Sequence, residues 1–254
     1  MNHIKHCTMA CLLAGMAAAA TALADTSTYQ ITTDTYIDSA NASKNYGLSG
    51  SDKVVISTTP CRTLFDLPTA LWTYSPGDIV SASVSFYVFS DNTATYNVSL
   101  SPLTTAFQVG TGTGTSPANG ATWNTSDGTS LWTTPGGDYD SADAVIGTKG
   151  LLGVKTGDNN GRFFTWDITS LLINPTTAAE LQDFGAILTI DTAPPASGQA
   201  WASFTSANSA SYSAPYLPSL ELTVVPEPSS SILVLLGGAG ITCFLRKRNT
   251  PRQG

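Results

Sequence analysis

Apolar and polar residues alternate with a period of two across much of the region 25–224. The clearest runs are 83–88, 163–168, 184–190 and 220–224. Such alternation is typical of β-strands with one buried face, and clusters of Gly, Pro, Asn and Asp predict turns between them. Two short helical segments are also predicted, at Thr169–Leu172 and Thr176–Gln182. Short strands with Gly-rich turns favour an all-β fold, an antiparallel two-sheet sandwich of the jelly-roll type.

Both ends of the chain have the pattern of targeting segments. Residues 1–24 combine Lys5, an apolar stretch at 10–22 and the small residues Ala22 and Ala24, which is the pattern of a signal peptide that signal peptidase cleaves. The sequence therefore predicts three parts: a signal peptide at 1–24, a β-sandwich domain at 25–224 and a tail at 225–254.

The tail begins with Pro226-Glu227-Pro228, continues with an apolar segment at about 231–245 and finishes in a basic end at 246–254 that opens with Arg246-Lys247-Arg248. As a helix, the 15 residues of this segment span about 22 Å. A bilayer core of roughly 30 Å needs more, so the span suits a transient inner-membrane anchor with its basic end in the cytoplasm. The tail resembles the PEP-CTERM sorting signal, which implies processing by an exosortase. The alternative is a permanent single-span anchor that is never cut.

Composition excludes several kinds of chemistry in the predicted domain. The chain has two histidines, His3 and His6, and both lie in the predicted signal peptide. The domain then lacks imidazole for Ser-His-Asp or Cys-His catalysis and for His-ligated zinc or iron. Its one cysteine, Cys61, has no partner for a disulfide within the domain, and is either a small buried hydrophobe or a reactive thiol.

The charge of the domain further limits the classes of partner that it can bind. It holds 17 acidic residues against six basic ones, a net charge of −11. Such a domain repels nucleic acid, and its few scattered bases form no patch for acidic glycans. The charge is compatible with divalent cations and equally with simple solubility.

A set of segments along the domain occurs in the order found in DNRLRE domains. These segments are Asp34–Ile37, Asn45–Gly47, Arg62–Leu67, Gly77–Val88, Thr122–Asn124, Trp166–Thr169, Phe184-Gly185, Phe204–Ser206 and Pro215–Leu220. The chain resembles this family over nearly all of residues 25–224. The resemblance implies a jelly roll similar to carbohydrate-binding modules on secreted proteins. Asn208 departs from the family, which commonly has an acidic residue two positions after the serine that corresponds to Ser206.

The same resemblance implies a structural calcium ion near the first and last strands, with Asp34 and Asp38 as its candidate ligands. Asp138, Asp140 and Asp143 form a second acidic cluster. The alternative is that all these acids form turns or lie in solvated loops.

Tryptophans supply candidate platforms for sugar rings. Trp123 and Trp132 lie in the loop-rich stretch 109–143 and are the glycan-binding candidates, with core packing or loop anchoring as the alternative.

We therefore expect a non-enzymatic protein, exported to the cell envelope or the extracellular polysaccharide matrix of a biofilm, which binds glycans or acts as a scaffold. Its expected partners are signal peptidase, exosortase, the membrane through its tail, and extracellular polysaccharide. The alternative is a small secreted hydrolase or lyase that degrades polysaccharide. Hydrolysis needs two carboxylates across a cleft, and the domain has only two glutamates, Glu180 and Glu221, besides its aspartates.

Overall fold

The computed structural model describes residues 24–91, 96–114, 119–152, 161–190 and 198–225. The chain divides into the compact unit Thr26–Thr223 and a second unit made of Met1–Asp25 and Val224–Gly254. The second unit lies almost wholly outside the described residues, as do the predicted signal peptide and the sorting residues Pro226–Pro228 and Arg246–Arg248. Within the described residues, no helix has the length and apolarity to cross a membrane.

The described residues form twelve strands and two short α-helices. The strands are β1 (Asp25–Gln30), β2 (Asp34–Asp38), β3 (Ser51–Ile56), β4 (Cys61–Phe65), β5 (Ile79–Asp91), β6 (Val98–Pro102), β7 (Val145–Ile146), β8 (Thr148–Leu152), β9 (Arg162–Asp167), β10 (Ala186–Ile190), β11 (Ala200–Thr205) and β12 (Ser219–Val224). The helices are α1 (Thr169–Ile173) and α2 (Pro175–Phe184). The predicted all-β fold and both predicted helical segments are confirmed.

These strands make one curled antiparallel sheet. Its main path is β1-β12-β5-β11-β3-β4-β10-β6-β7, while β2 pairs with β4, β9 with β5, and β8 with β9. The 13-residue strand β5 pairs with three neighbours, which are β12, β9 and β11. It therefore joins the β9–β8 branch to the main path of the sheet.

Aromatic rings from four strands meet in the core around Phe86 of β5. Its ring centroid lies 5.2 Å from Phe65, 6.1 Å from Trp166 and 5.7 Å from Phe204, each in an edge-on arrangement. All four side chains are fully buried. Edge-to-face pairs of this kind each add about 0.5–1.5 kcal/mol beyond the area they bury. The predicted inward orientation of Phe86 and Trp166 is confirmed.

The other face of β5 departs from simple alternation. Tyr87, predicted on the outer face, is as fully buried as its inward neighbours. The rings of Phe163, Tyr212 and Tyr216 cover it at centroid distances of 5.2, 5.8 and 4.8 Å. A segment that follows β11 therefore covers part of the face that the alternating pattern assigns to solvent.

A second apolar cluster lies on the opposite face of β4 from Phe65. It joins Leu64, Ile37 and Ile187 from the sheet to side chains of the long connection between β6 and β7, which are Leu103, Ala121 and Trp132. Because this connection covers the sheet, every residue of β10 is buried. The prediction that the run 184–190 has only one buried face is wrong for this reason.

Candidate functional site

The connection between β6 and β7 also shapes an open cleft of about 610 Å³ that we call the polar cleft. Its lining is mostly hydroxyl-bearing, with one cationic and one anionic side chain. The lining residues are Arg62, Thr104, Thr105, Thr133, Thr134, Gly137, Asp138, Tyr139 and Ser141. Such a surface offers hydrogen bonds to a polar ligand with little net charge.

Arg62 is fixed in this cleft by three contacts. Its position in β4 opposite Ile37 directs it to the face that the β6–β7 connection covers. Its guanidinium lies 5.1 Å from the Trp123 ring and 5.2 Å from the Tyr139 ring, and its Nη1 donates to the carbonyl of Gly136 at 2.7 Å. No carboxylate pairs with Arg62 within the described ranges. Ring contacts on a planar guanidinium hold it in place.

Asp138 holds the loop that forms the opposite wall. Its Oδ1 accepts the backbone N–H of Thr134 at 2.9 Å, and its Oδ2 accepts the N–H of Thr133 at 2.9 Å and the hydroxyl of Thr105 at 3.2 Å. Desolvation raises the pKa of Asp138, but the backbone and side-chain hydrogen bonds outweigh it and leave the pKa below its usual value. Asp138 is thus an ionised structural acceptor whose oxygens are already engaged.

Asn45 positions the far part of the same connection. Its Nδ2 donates to the carbonyls of Val109 and Ala121 at 2.7 and 2.9 Å, while its Oδ1 accepts the N–H groups of Gly47 and Gly112 at 3.2 and 2.8 Å. The buried amide therefore has all four hydrogen bonds it can make. Gly112 has no room for a side chain, since an added Cβ would lie 2.5 Å from the Asn45 carbonyl oxygen. Sequence analysis did not assign this role, although the glycine-rich run after Val109 was its visible signal.

The two tryptophans predicted as glycan platforms occupy different environments. Trp132 is only 4% exposed, and its Nε1 donates to the carbonyl of Thr122 at 2.9 Å, so it anchors the connection and has no open face for a sugar ring. Trp123 is partly buried, packs against the same apolar cluster and contacts Arg62. The structure therefore favours loop anchoring for Trp132, and brings Trp123 next to the polar cleft.

The predicted calcium ligands Asp34 and Asp38 both lie on β2, but in separate hydrogen-bond networks. Asp34 accepts from the Ser206 hydroxyl and the Ala207 N–H. Asp38 accepts from the Ala40 N–H and the Asn41 amide. Donors thus face all four carboxylate oxygens, which fits turn and capping roles better than a shared calcium ion that needs free oxygens. Calcium binding at Asp34 and Asp38 stays a prediction.

Glu180 of α2 lies near the second acidic cluster, which the sequence pattern did not suggest. Asp140 and Asp143 lie close enough to Glu180 of α2 to raise its pKa, although desolvation is the larger cause. Across the described part of the chain, no group of three or more His, Cys, Asp or Glu side chains is arranged to hold a metal ion.

Cys61, at the start of β4, is a free buried thiol with 7% of its surface exposed. Desolvation, together with the nearby Asp38 carboxyl, raises the pKa of the thiol to about 12. Such a thiol is protonated at neutral pH, and this favours the packing role over the reactive one.

No protein-family model matches the chain, and no curated protein sequence matches it.

Proposed function

We propose that this chain is an exported, non-enzymatic, jelly-roll-like two-sheet β-sandwich of the DNRLRE type, which binds a neutral saccharide in the polar cleft. In this proposal a signal peptide directs export, and the PEP-CTERM tail anchors the chain until an exosortase processes it. The mature protein then works at the cell surface or in the extracellular polysaccharide matrix, as a glycan-binding protein or as a scaffold.

The observation that carries the binding proposal is the arrangement around Arg62. A guanidinium held between the rings of Trp123 and Tyr139 presents a rigid set of donors in a cleft lined by four threonines and a serine. Sugar hydroxyls both donate and accept, so a hydroxyl-rich lining with a planar donor suits them. Arg62 and Asp138 have opposite charges within the same lining, which favours a neutral saccharide over a polyanion.

The cleft offers little support for hydrolysis. Glycoside hydrolysis needs two carboxyl groups roughly 5–9.5 Å apart. The lining contains one carboxyl group, that of Asp138, and its oxygens accept three hydrogen bonds from threonines. Release of product from a purified polysaccharide, lost on Asp138→Asn, would overturn the non-enzymatic proposal.

A steric block tests the cleft itself. Ser141 is exposed and lines the cleft, so Ser141→Trp would fill it without removing a described hydrogen bond, whereas the exposed Ser81 on β5 is outside its lining. On a panel of neutral glycans, we expect Ser141→Trp to lose at least about tenfold in affinity, and Ser81→Trp to bind like the parent protein. Equal binding by both variants would remove the cleft from the proposal. No binding to any glycan, with or without calcium, would leave only scaffolding.

Mass spectrometry of the exported form tests the sorting proposal. We expect the mature chain to begin at Asp25 and to end near Pro226–Pro228. Recovery of the tail intact through Gly254 would instead support a permanent anchor.

A further inference from the structure

A second cleft, of about 490 Å³, lies where the end of β1 and the turn into β2 face the segment that follows β4. The Asp66 N–H donates to the Thr33 carbonyl at 3.0 Å, and this hydrogen bond joins the two walls. Because β1 is the terminal strand of the main path of the sheet, we call this the edge cleft. The edge cleft shares no lining residue with the polar cleft, so it is a separate candidate site.

The lining of the edge cleft combines hydroxyl groups with a single carboxyl group. Its hydrogen-bonding side chains include Thr28, Gln30, Thr32, Thr33, Asp66 and Thr69. The polar cleft contains Arg62, whereas the described residues that line the edge cleft include no lysine or arginine. The only formal charge of this lining is therefore the negative charge of ionised Asp66.

The Asp66 carboxyl group is partly buried but lacks a partner. None of the described residues gives it a hydrogen bond or a salt bridge. Burial raises the pKa of Asp66 to about 6, and no hydrogen bond or cation lowers it. Asp127 and Asp167 differ, because hydrogen bonds from the turns that follow them lower the pKa of each carboxyl group. A desolvated carboxyl group normally has such donors, so their absence around Asp66 points to a ligand as the donor.

Two further features of the region are consistent with a ligand. Gly185 has a φ of +81°, and an added Cβ would lie 2.7 Å from Asp66 Oδ1, so the glycine leaves space beside the carboxyl group. The Oε1 of Gln30 is buried and meets no donor from the described residues. Two acceptors of one cleft therefore lack hydrogen-bond donors.

We propose that the edge cleft binds an amino sugar, with the ammonium group of the ligand on the Asp66 carboxylate and its hydroxyl groups on the threonines of the lining. An ammonium group has three donors and no acceptor, which suits acceptors that lack donors. Its positive charge also compensates the charge of Asp66, as a neutral sugar would not. The exposed side chains of Thr28, Thr32 and Thr69 suit sugar hydroxyls, because both kinds of hydroxyl donate and accept.

A divalent cation fits the edge cleft less well. It would need about six oxygen ligands, and the lining supplies one carboxyl group. A plain alkyl amine would pair with Asp66 but would leave the threonine hydroxyls unused. Binding here does not depend on a saccharide in the polar cleft, because the two linings have no residue in common.

Full-length wild type, Asp66→Asn and Asp183→Asn test the ion pair by calorimetric titration with a β-linked glucosamine tetramer at pH 7. Asparagine keeps the shape of the aspartate side chain and removes its charge. Asp183 is exposed and lies outside both clefts, so Asp183→Asn controls for net charge. We expect Asp66→Asn to lose at least about tenfold in affinity and Asp183→Asn to bind like the wild type. The proposal is overturned if the wild type does not bind, or if Asp66→Asn binds no more weakly than Asp183→Asn.

Matched ligands test the chemical class. The tetramers of N-acetylglucosamine and of glucose keep the ring hydroxyls without a charged amine, and tetralysine has the amines without the hydroxyls. In Ser141→Trp, whose polar cleft is blocked, we expect each of the three to bind at least about tenfold more weakly than the glucosamine tetramer. Equal affinity for the N-acetylglucosamine tetramer would refute the ion pair, and equal affinity for tetralysine would refute a sugar.

Steric variants separate the two clefts and cover the case in which Asp66→Asn fails to fold. Thr32 is exposed and lines the edge cleft, so Thr32→Trp should lose at least about tenfold in affinity for the glucosamine tetramer, while Ser141→Trp keeps it. Loss in Ser141→Trp alone would assign that ligand to the polar cleft and overturn the proposal. If neutral glycans fail to bind while the glucosamine tetramer still binds through Asp66, the polar cleft is refuted and the edge cleft is supported.

Discussion

Gly147 and Trp166 occupy the same small space, and a substitution there tests the packing between β6, β7 and β9. A Cβ added to Gly147 would lie 2.5 Å from Nε1 of Trp166 and 2.6 Å from its Cε2. The Gly147 N–H and the Trp166 Nε1 donate to the same Val98 carbonyl, at 2.8 and 2.9 Å. The φ of Gly147 lies outside the left-handed region. Gly147→Ala is therefore a steric perturbation and not a backbone one.

The expected cost of Gly147→Ala follows from these contacts. Forcing a methyl group into a filled core costs about 1–3 kcal/mol, and displacement of the indole from Val98 adds about 1 kcal/mol for the weakened hydrogen bond. We expect the free energy of unfolding to fall by about 2–4 kcal/mol. Trp166→Phe should cost about 1–3 kcal/mol, since it leaves a cavity while Val98 keeps the Gly147 N–H.

The double variant distinguishes this explanation from general fragility. In Gly147→Ala with Trp166→Phe, the new methyl group occupies space that the indole has left. We expect its cost to be smaller than the sum of the two single costs by at least about 1 kcal/mol. Equilibrium unfolding of the full-length protein in urea, followed by far-UV circular dichroism, measures all three variants.

A matched glycine provides the control. Gly77 lies in the short turn Pro76–Asp78, and an added Cβ would meet nothing within 4 Å. Gly77→Ala should leave stability unchanged or raise it by about 0.4–1 kcal/mol. Strict additivity of Gly147→Ala and Trp166→Phe, or an equal loss in Gly77→Ala, would refute the steric reasoning.

Three further predictions concern single side chains. Desolvation raises the pKa of Asp66 to about 6, so the stabilising contribution of the protonated acid is lost as the pH rises through 6. In urea titrations, the free energy of unfolding of Asp66→Asn should equal that of the wild type near pH 4. Near pH 8 it should exceed that of the wild type by about 1 kcal/mol, after discount for partial exposure. Cys61 should resist an alkylating reagent in the folded protein and react on denaturation, as mass spectrometry will show; rapid native labelling would contradict its burial. Trp132→Phe should cost about 2–4 kcal/mol, because it leaves a cavity and the buried Thr122 carbonyl without its indole donor; a cost below about 1 kcal/mol by chemical denaturation would contradict that.

The local features of this fold can largely be predicted from the sequence. Alternation alone places Phe86 and Trp166 in the core and Glu221 on the outer face of β12, as observed. The position of Asp167 at a strand exit predicts that its carboxyl accepts the N–H groups of Thr169 and Ser170. Its Oδ1 accepts the Thr169 N–H at 2.9 Å and the Thr169 hydroxyl at 2.6 Å. These features depend on residues a few positions apart, so short-range geometry is enough to predict them.

The candidate sites are harder to predict from the sequence, because they bring together residues that are far apart along the chain. Arg62 meets Tyr139 and Gly136 across more than 70 positions of sequence. Asp34 reaches Ser206 across 172 positions, and the sequence pattern does not mark Asp52 as the fully buried residue that it is. No local pattern marks such pairs, since a carboxyl group in a strand is as compatible with solvent as with the core.

The sequence by itself determined the strand class, the two helical segments, the absence of histidine between residues 25 and 224 and the acidic charge of that region. These properties follow from composition and from a period of two that any pleated strand obeys. Only the tertiary structure decided that the β6–β7 connection covers the outer face of β4 and β10, that Trp132 is an anchor, and that Asp34 and Asp52 are buried. Chain folding over a sheet decides which alternating face meets water, and alternation along one strand carries no information about what covers it.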